Sequence, residues 1–198
     1  MNPFSAKDAL PEGYHRTETI DLLHNRKQLL LVNGLAIVLA VLLIGLGILV
    51  QPEGAAEALH IAADPLAFAL KCLVAALASV GYIIGHEAVH GAFMWHYSHC
   101  KPHFGLSFAY AYAGSDAYFA KGAYLVIALA PVTLWTLLLV LIQLLLPPDW
   151  FWVVWLIQIS NISGAAGDLF VSQHLRKAPS TVLVQDDGTS MKVFLPGK

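Results

Sequence analysis

Residues 29–50 read LLLVNGLAIVLAVLLIGLGILV, with no charged side chain anywhere in the run. Uncharged stretches of eighteen or more residues point to helices that cross a bilayer. Three more nearly uncharged runs follow, at about 66–95, 122–146 and 150–172. The whole composition agrees: 58% of the 198 residues are hydrophobic and 12% are charged, against about a quarter charged in an ordinary soluble domain. That much apolar surface must face something other than one protein core. The chain is expected to be an all-α polytopic membrane protein with four transmembrane helices and small cytoplasmic β-hairpin elements.

Basic residues set the orientation of the spans. The loop between the first two spans carries Glu53, Glu57 and Asp64 and no Lys or Arg; Lys101 and Lys121 lie between spans two and three, and Arg176 and Lys177 follow span four. With both termini cytoplasmic, every Lys and Arg except Lys71 falls on the inner side. The N-terminal segment is too long and mixed for a cleaved signal peptide, so the first span is expected to stay as a signal anchor. The organisation is then a cytoplasmic segment 1–28, a membrane domain 29–175 with its catalytic core at about 66–175, and a cytoplasmic tail 176–198. A net charge of −2 and the lack of a basic stripe argue against nucleic-acid binding. Cys72 and Cys100 lie near opposite ends of span two, roughly 40 Å apart at helical rise, which excludes a disulfide.

The N-terminal 28 residues show no clear period and have room for a short interfacial helix before Arg26. The tail reads TVLVQDDGTSMKVFL, two strand-like runs around Asp187-Gly188, a hairpin signal. Between spans two and three, Phe108, Tyr110 and Tyr112 alternate with alanines before the turn Gly114-Ser115-Asp116. Period two favours a strand, and the aromatics would equally suit the headgroup zone. The segment is therefore either an interfacial loop or an edge strand that pairs with an extended substrate.

Of the 13 Asp and Glu, Glu87 and Asp168 alone lie well inside a span, where ionisable groups usually mark function. Glu87 belongs to His86-Glu87-Ala88-Val89-His90, an HExxH pattern. Residues i and i+4 share a helix face, so both imidazoles can reach one metal ion, and Glu87, rotated off that line, can act as general base. A pair of helix-packing histidines with a glutamate partner is the bland alternative.

A catalytic zinc takes three protein ligands and keeps one open position, and Asp168 in NISGAAGDLF is the candidate third ligand. Measured from Trp95, His90 and His86 lie about 8 and 13 Å into the membrane; measured from Arg176, Asp168 lies about 12 Å in. With neutral histidines, zinc and the two carboxylates sum to zero charge, as a low-dielectric setting favours. Asp168 could instead be a helix-end carboxylate paired with Arg176 or His174. Asn161 is placed to hydrogen-bond a substrate backbone or oxyanion, or to bridge helices. Pro131 would free a backbone carbonyl and bend span three. His96, His99 and His103 read as interfacial residues.

GHEAVHG on one span, a proline-bearing span after it and NISGAAGD on the next resemble the membrane zincins. The match is to the bacterial putative zincin peptidases, which are similar to the site-2 proteases, and it covers roughly 66–175. The resemblance implies one Zn2+ per chain held by His86, His90 and Asp168, with Glu87 as catalytic base. It also implies a bacterial plasma-membrane location and a membrane-protein or membrane-bound peptide substrate cut near the cytoplasmic face. The chain departs from the site-2 pattern in having no proline between Asn161 and Asp168 and Leu169 in place of a glycine. The rival readings are a metal-binding transporter or inactive scaffold using the same ligands, and a di-iron membrane oxidase, which would need about eight histidines.

Overall fold

The computed structural model describes residues 2–22, 24–53, 64–106 and 111–197. Four helical stretches are long and apolar enough to cross a membrane: Arg26–Val50, Pro65–Ser98, Lys121–Leu145 and Pro148–Arg176. They overlap the four runs read from the sequence, each within a few residues. We number them α1 (Arg26–Val50), α2 (Pro65–Ser98) and α3 (Lys121–Leu145). The fourth stretch opens with a 3-10 turn at Pro148–Trp150 and divides into α4 (Phe151–Gly164) and α5 (Ala166–Arg176).

The protein is mostly helical, but it is not all-α. Strands β1 (Ala6–Lys7), β2 (Tyr14–Ile20), β5 (Tyr118–Ala120), β6 (Leu183–Asp186) and β7 (Met191–Pro196) form one antiparallel sheet in the order β1-β5-β6-β7-β2. A separate two-stranded sheet pairs β3 (His103–Leu106) with β4 (Ala111–Gly114). The interfacial helix considered before Arg26 is replaced by β2, which pairs with β7 from Tyr14↔Pro196 to Ile20↔Met191. Its sequence hides this, because among its residues only Ile20 is buried and the rest of the strand is largely solvated. A strand at a sheet edge needs little apolar alternation.

The chain resolves into two compact units, one of residues 1–32, 85–131 and 167–198, the other of 33–84 and 132–166. In the first, the five-stranded sheet packs Phe119, Val184 and Val193 against Ala123, Tyr124 and Ile127 of α3, Val171 and Leu175 of α5, and Met94 of α2. Each fully buried side chain of this size contributes roughly 1.5–3 kcal/mol. Met94 lies one turn beyond His90 and Val171 one turn beyond Asp168, so this core fixes the two helix segments that carry the polar residues.

In the second unit, α1 exposes Val38, Val41, Leu42 and Leu49, and its one buried residue is Gly47. A Cβ there would fall 2.4 Å from the Trp155 ring, and Trp155 Nε1 donates to the Leu43 carbonyl at 2.9 Å. Tyr82, Leu139, Val154 and Ile157 form the unit's core.

Candidate metal centre

The last part of α2 carries His86 and His90 one helical turn apart, with ring centroids 4.9 Å apart and inclined at 73°. Both are buried, at 8% and 9% exposure. Asp168 reaches them from the first turn of α5. The break between α4 and α5 matters here. Ser163-Gly164-Ala165 ends one helix, with the Ala165 N–H bonded to the Asn161 and Ser163 carbonyls. Asp168 therefore stands at the N-terminal end of a new helix, where the dipole favours a carboxylate, and not in mid-helix.

Asp168 Oδ2 lies 3.4 Å from His86 Nε2, and Oδ1 lies 3.6 Å from His90 Nε2. These separations exceed a normal N–H···O bond. They match the spacing of ligands around an ion: two atoms each about 2.0–2.1 Å from a tetrahedral zinc stand about 3.3 Å apart. The ligand atoms of His86, His90 and Asp168 all lie within 4.8 Å of one another, and among the described residues theirs is the group of His, Cys, Asp or Glu that could hold a metal. Two imidazoles and a carboxylate are the donor set that zinc takes in catalytic sites.

The second ring nitrogen of His90 is occupied as well. Nδ1 lies 3.0 Å from the Ile127 carbonyl in a buried contact. A carbonyl can only accept, so Nδ1 carries a proton; in a neutral imidazole the lone pair is then on Nε2, the nitrogen on the Asp168 side that would bind a metal.

Glu87 stands beside this group without being part of it. The Ala113 backbone N–H donates to its carboxylate, and His90, His86 and Asp168 all lie within its electrostatic reach. The donor comes from β4, which ties the hairpin between α2 and α3 to the HExxH helix. Gly91, the residue after His90, completes that contact, since a Cβ there would fall 2.3 Å from Cζ of Phe104 on β3.

The base of the hairpin is anchored on the turn between β6 and β7. Ser115 N–H donates to the Asp186 carbonyl at 2.8 Å. His103 Nε2 donates to the Asp187 carbonyl at 3.2 Å. Asp186 in turn accepts from the Tyr124 hydroxyl, and burial there pushes its carboxyl above the usual range.

The remaining candidates fall in different places. Phe108 and Tyr110 lie outside the described residues. Tyr112 is half-buried on β4, its ring over Gly105 and Gly188, where Cβ atoms would fall 2.2 and 2.3 Å from it. Asn161 belongs to the second unit, fully buried, and its Nδ2 donates to the Val132 carbonyl at 3.3 Å and to Thr136 Oγ1 at 2.9 Å; these are bonds between α4 and α3. His174 pairs with Glu18 at 2.8 Å, so it is not the partner of Asp168.

Reading residues missed the Ala113 amide and the Tyr124–Asp186 pair. Backbone donors and pairs 62 residues apart leave no local pattern. The Ile127 carbonyl had a signal, the proline four residues on.

The sequence profile of the putative zincin peptidase family matches residues 79–183, a stretch that holds His86, Glu87, His90 and Asp168. No curated protein and no solved structure matches the chain. With more than half its length matched and a zinc-type donor set assembled within that length, the chain belongs to the putative zincin peptidase family.

Proposed function

We propose that this protein is an intramembrane zinc metalloprotease of the site-2 type, with one zinc per chain. It would sit in a bacterial plasma membrane with both termini cytoplasmic and hydrolyse a peptide bond of a membrane-protein substrate near the cytoplasmic face. The observation that carries the reading is the convergence of His86, His90 and Asp168 from two apolar helices, with Glu87 beside them.

A zinc ion held by these three side chains would supply a Lewis acid for the scissile carbonyl and lower the pKa of a water molecule. The chain's own part begins with Glu87. Its carboxylate takes a proton from water and passes it to the leaving amine, and the Ala113 N–H keeps the carboxylate in place for both transfers. The Nδ1–H bond to the Ile127 carbonyl leaves Nε2 as the nitrogen of His90 that would hold the ion, and His86 shares its helix face. The two carboxylates and the divalent ion together sum to zero charge, which suits an apolar surrounding.

A helical substrate hides its carbonyls in its own hydrogen bonds and must be held extended to be cut. Among the described residues β3 pairs with β4 alone, so its outer edge offers backbone donors and acceptors to such a segment.

The deciding experiment replaces Glu87 with Gln, which keeps the shape and the Ala113 contact but cannot accept the proton. Turnover should fall by about 10²–10⁴-fold while the zinc content stays that of the wild type. Comparative membrane proteomics of cells carrying the two forms should reveal a protein that accumulates uncleaved. Equal turnover by Glu87→Gln would remove Glu87 as the base, and zinc-loaded wild type without any turnover, with no protein accumulating in the Gln form, would remove the protease reading and leave a transporter or scaffold.

A further inference from the structure

The proline in α3 and the histidine in α2 meet at one atom. Pro131 sits inside α3 and is fully buried. In an α-helix the N–H of residue 131 would bond the carbonyl of residue 127, but proline has no N–H. The Ile127 carbonyl thus loses its helical donor in a place that water does not reach, Ile127 being 1% exposed. A buried carbonyl without a donor is costly. The donor it finds is His90 Nδ1, at 3.0 Å.

The bond works in both directions. A neutral imidazole has one N–H, and placing it on Nδ1 leaves Nε2 as the lone-pair nitrogen facing Asp168 Oδ1. We propose that Pro131 is a positioning residue of the metal centre: by withholding its N–H it keeps the Ile127 carbonyl open to His90 Nδ1–H, which fixes the tautomer and the orientation of the imidazole. The inference rests on the reading of His90 as a metal ligand. It gives the proline a role beyond the bend that a proline is expected to put in a helix. A residue with an N–H at this position would draw the carbonyl along the axis of α3, away from α2. His90 would then be free to rotate and to place its proton on either nitrogen.

The test uses the full chain in lipid nanodiscs in three forms: wild type, Pro131→Ala, and a form with the α-hydroxy analogue of alanine at 131. The last has an ester in the backbone, so it lacks both the N–H and the proline ring. Zinc affinity is measured by chelator competition, and the ligand field by the absorption of the Co2+ form. Pro131→Ala should bind zinc about 10–100-fold more weakly, as loss of an outer partner of a metal-bound histidine does, with a shifted Co2+ spectrum and unreduced helix content. The ester form should return to wild-type affinity and spectrum.

Wild-type binding by Pro131→Ala, or an ester form as weak as the alanine one, overturns the role of the missing N–H. If Pro131→Ala does not fold, the ester form alone decides: wild-type affinity supports the inference and weakened binding overturns it. Absence of zinc and cobalt binding in the wild type would instead overturn the metal-centre reading, and this inference with it.

Discussion

Replacing Asp168 with Asn tests the third ligand at constant volume. One carboxylate oxygen becomes an NH2 group and one negative charge is lost. The structure places those oxygens 3.4 and 3.6 Å from His86 Nε2 and His90 Nε2, so the new amide hydrogens would point at a nitrogen whose lone pair is meant for the metal. The assembled site would also change from neutral to +1 in an apolar surrounding.

Losing an outer partner of a ligand costs about 10–100-fold in affinity; losing the anionic ligand itself should cost at least about 100-fold, or about 2.7 kcal/mol. The apo fold should hold. Asn tolerates a helix first turn, and the lost dipole interaction is about 0.3–1 kcal/mol. Chelator competition on the purified protein in nanodiscs gives the zinc affinity, and thermal unfolding of the metal-free forms gives the stability. If Asp168→Asn keeps wild-type zinc affinity while His86→Ala loses it, another group is the third ligand and the geometric argument fails.

Gly91→Ala probes the contact between α2 and β3. A Cβ there would fall 2.3 Å from Cζ of Phe104, but that ring is 57% exposed and can move outward together with β3. The helical gain of about 1 kcal/mol for Gly→Ala should offset the crowding. Stability and zinc content should therefore change little, while KM rises as β3 moves. A displaced β3, seen by amide exchange, with unchanged KM would refute substrate pairing at that edge.

Asp187→Ala addresses the turn between β6 and β7. The Asp187 carboxylate accepts from Thr189 N–H, Thr189 Oγ1–H, Ser190 N–H, Ser190 Oγ–H and Lys192 Nζ, so its loss should cost the sheet about 1–3 kcal/mol, read from amide exchange of β7. Partial burial opposes its ionisation, but Lys192, Thr189 and Ser190 outweigh this and hold the carboxyl well below the usual range. Its stabilisation is full above the ordinary carboxylate pKa of about 3.9. It is lost as pH falls through the lowered value. Identical acid profiles for wild type and Asp187→Ala would contradict that account.

Much of the helical frame was legible because lipid-type helices advertise themselves by length and lack of charge. The HExxH spacing likewise placed His86 and His90 on one face, since i and i+4 are neighbours on any α-helix. The turn at Asp187-Gly188 was legible from its residue types, and strands β6 and β7 pair on either side of it. The N-terminal strand was not. β2 holds one buried side chain, Ile20, and its partner β7 begins about 170 residues later, so neither period nor neighbourhood betrays it. The same holds for β1 and β5, which are two and three residues long and owe their form to pairing.

Three features can be read along the chain: which segments are helices fit for lipid, which residues carry the metal-type donors, and that a proline leaves one carbonyl of α3 without its helical partner. Those follow from local chemistry, which is written residue by residue. Folding in three dimensions is what brings Asp168 to both histidines, His90 to the open Ile127 carbonyl, an amide of β4 to Glu87, and Asn161 to α3 within the second unit. Each of these contacts spans helices or strands distant in the chain. Their distances are set by how the elements of each unit pack, and no single segment encodes that packing.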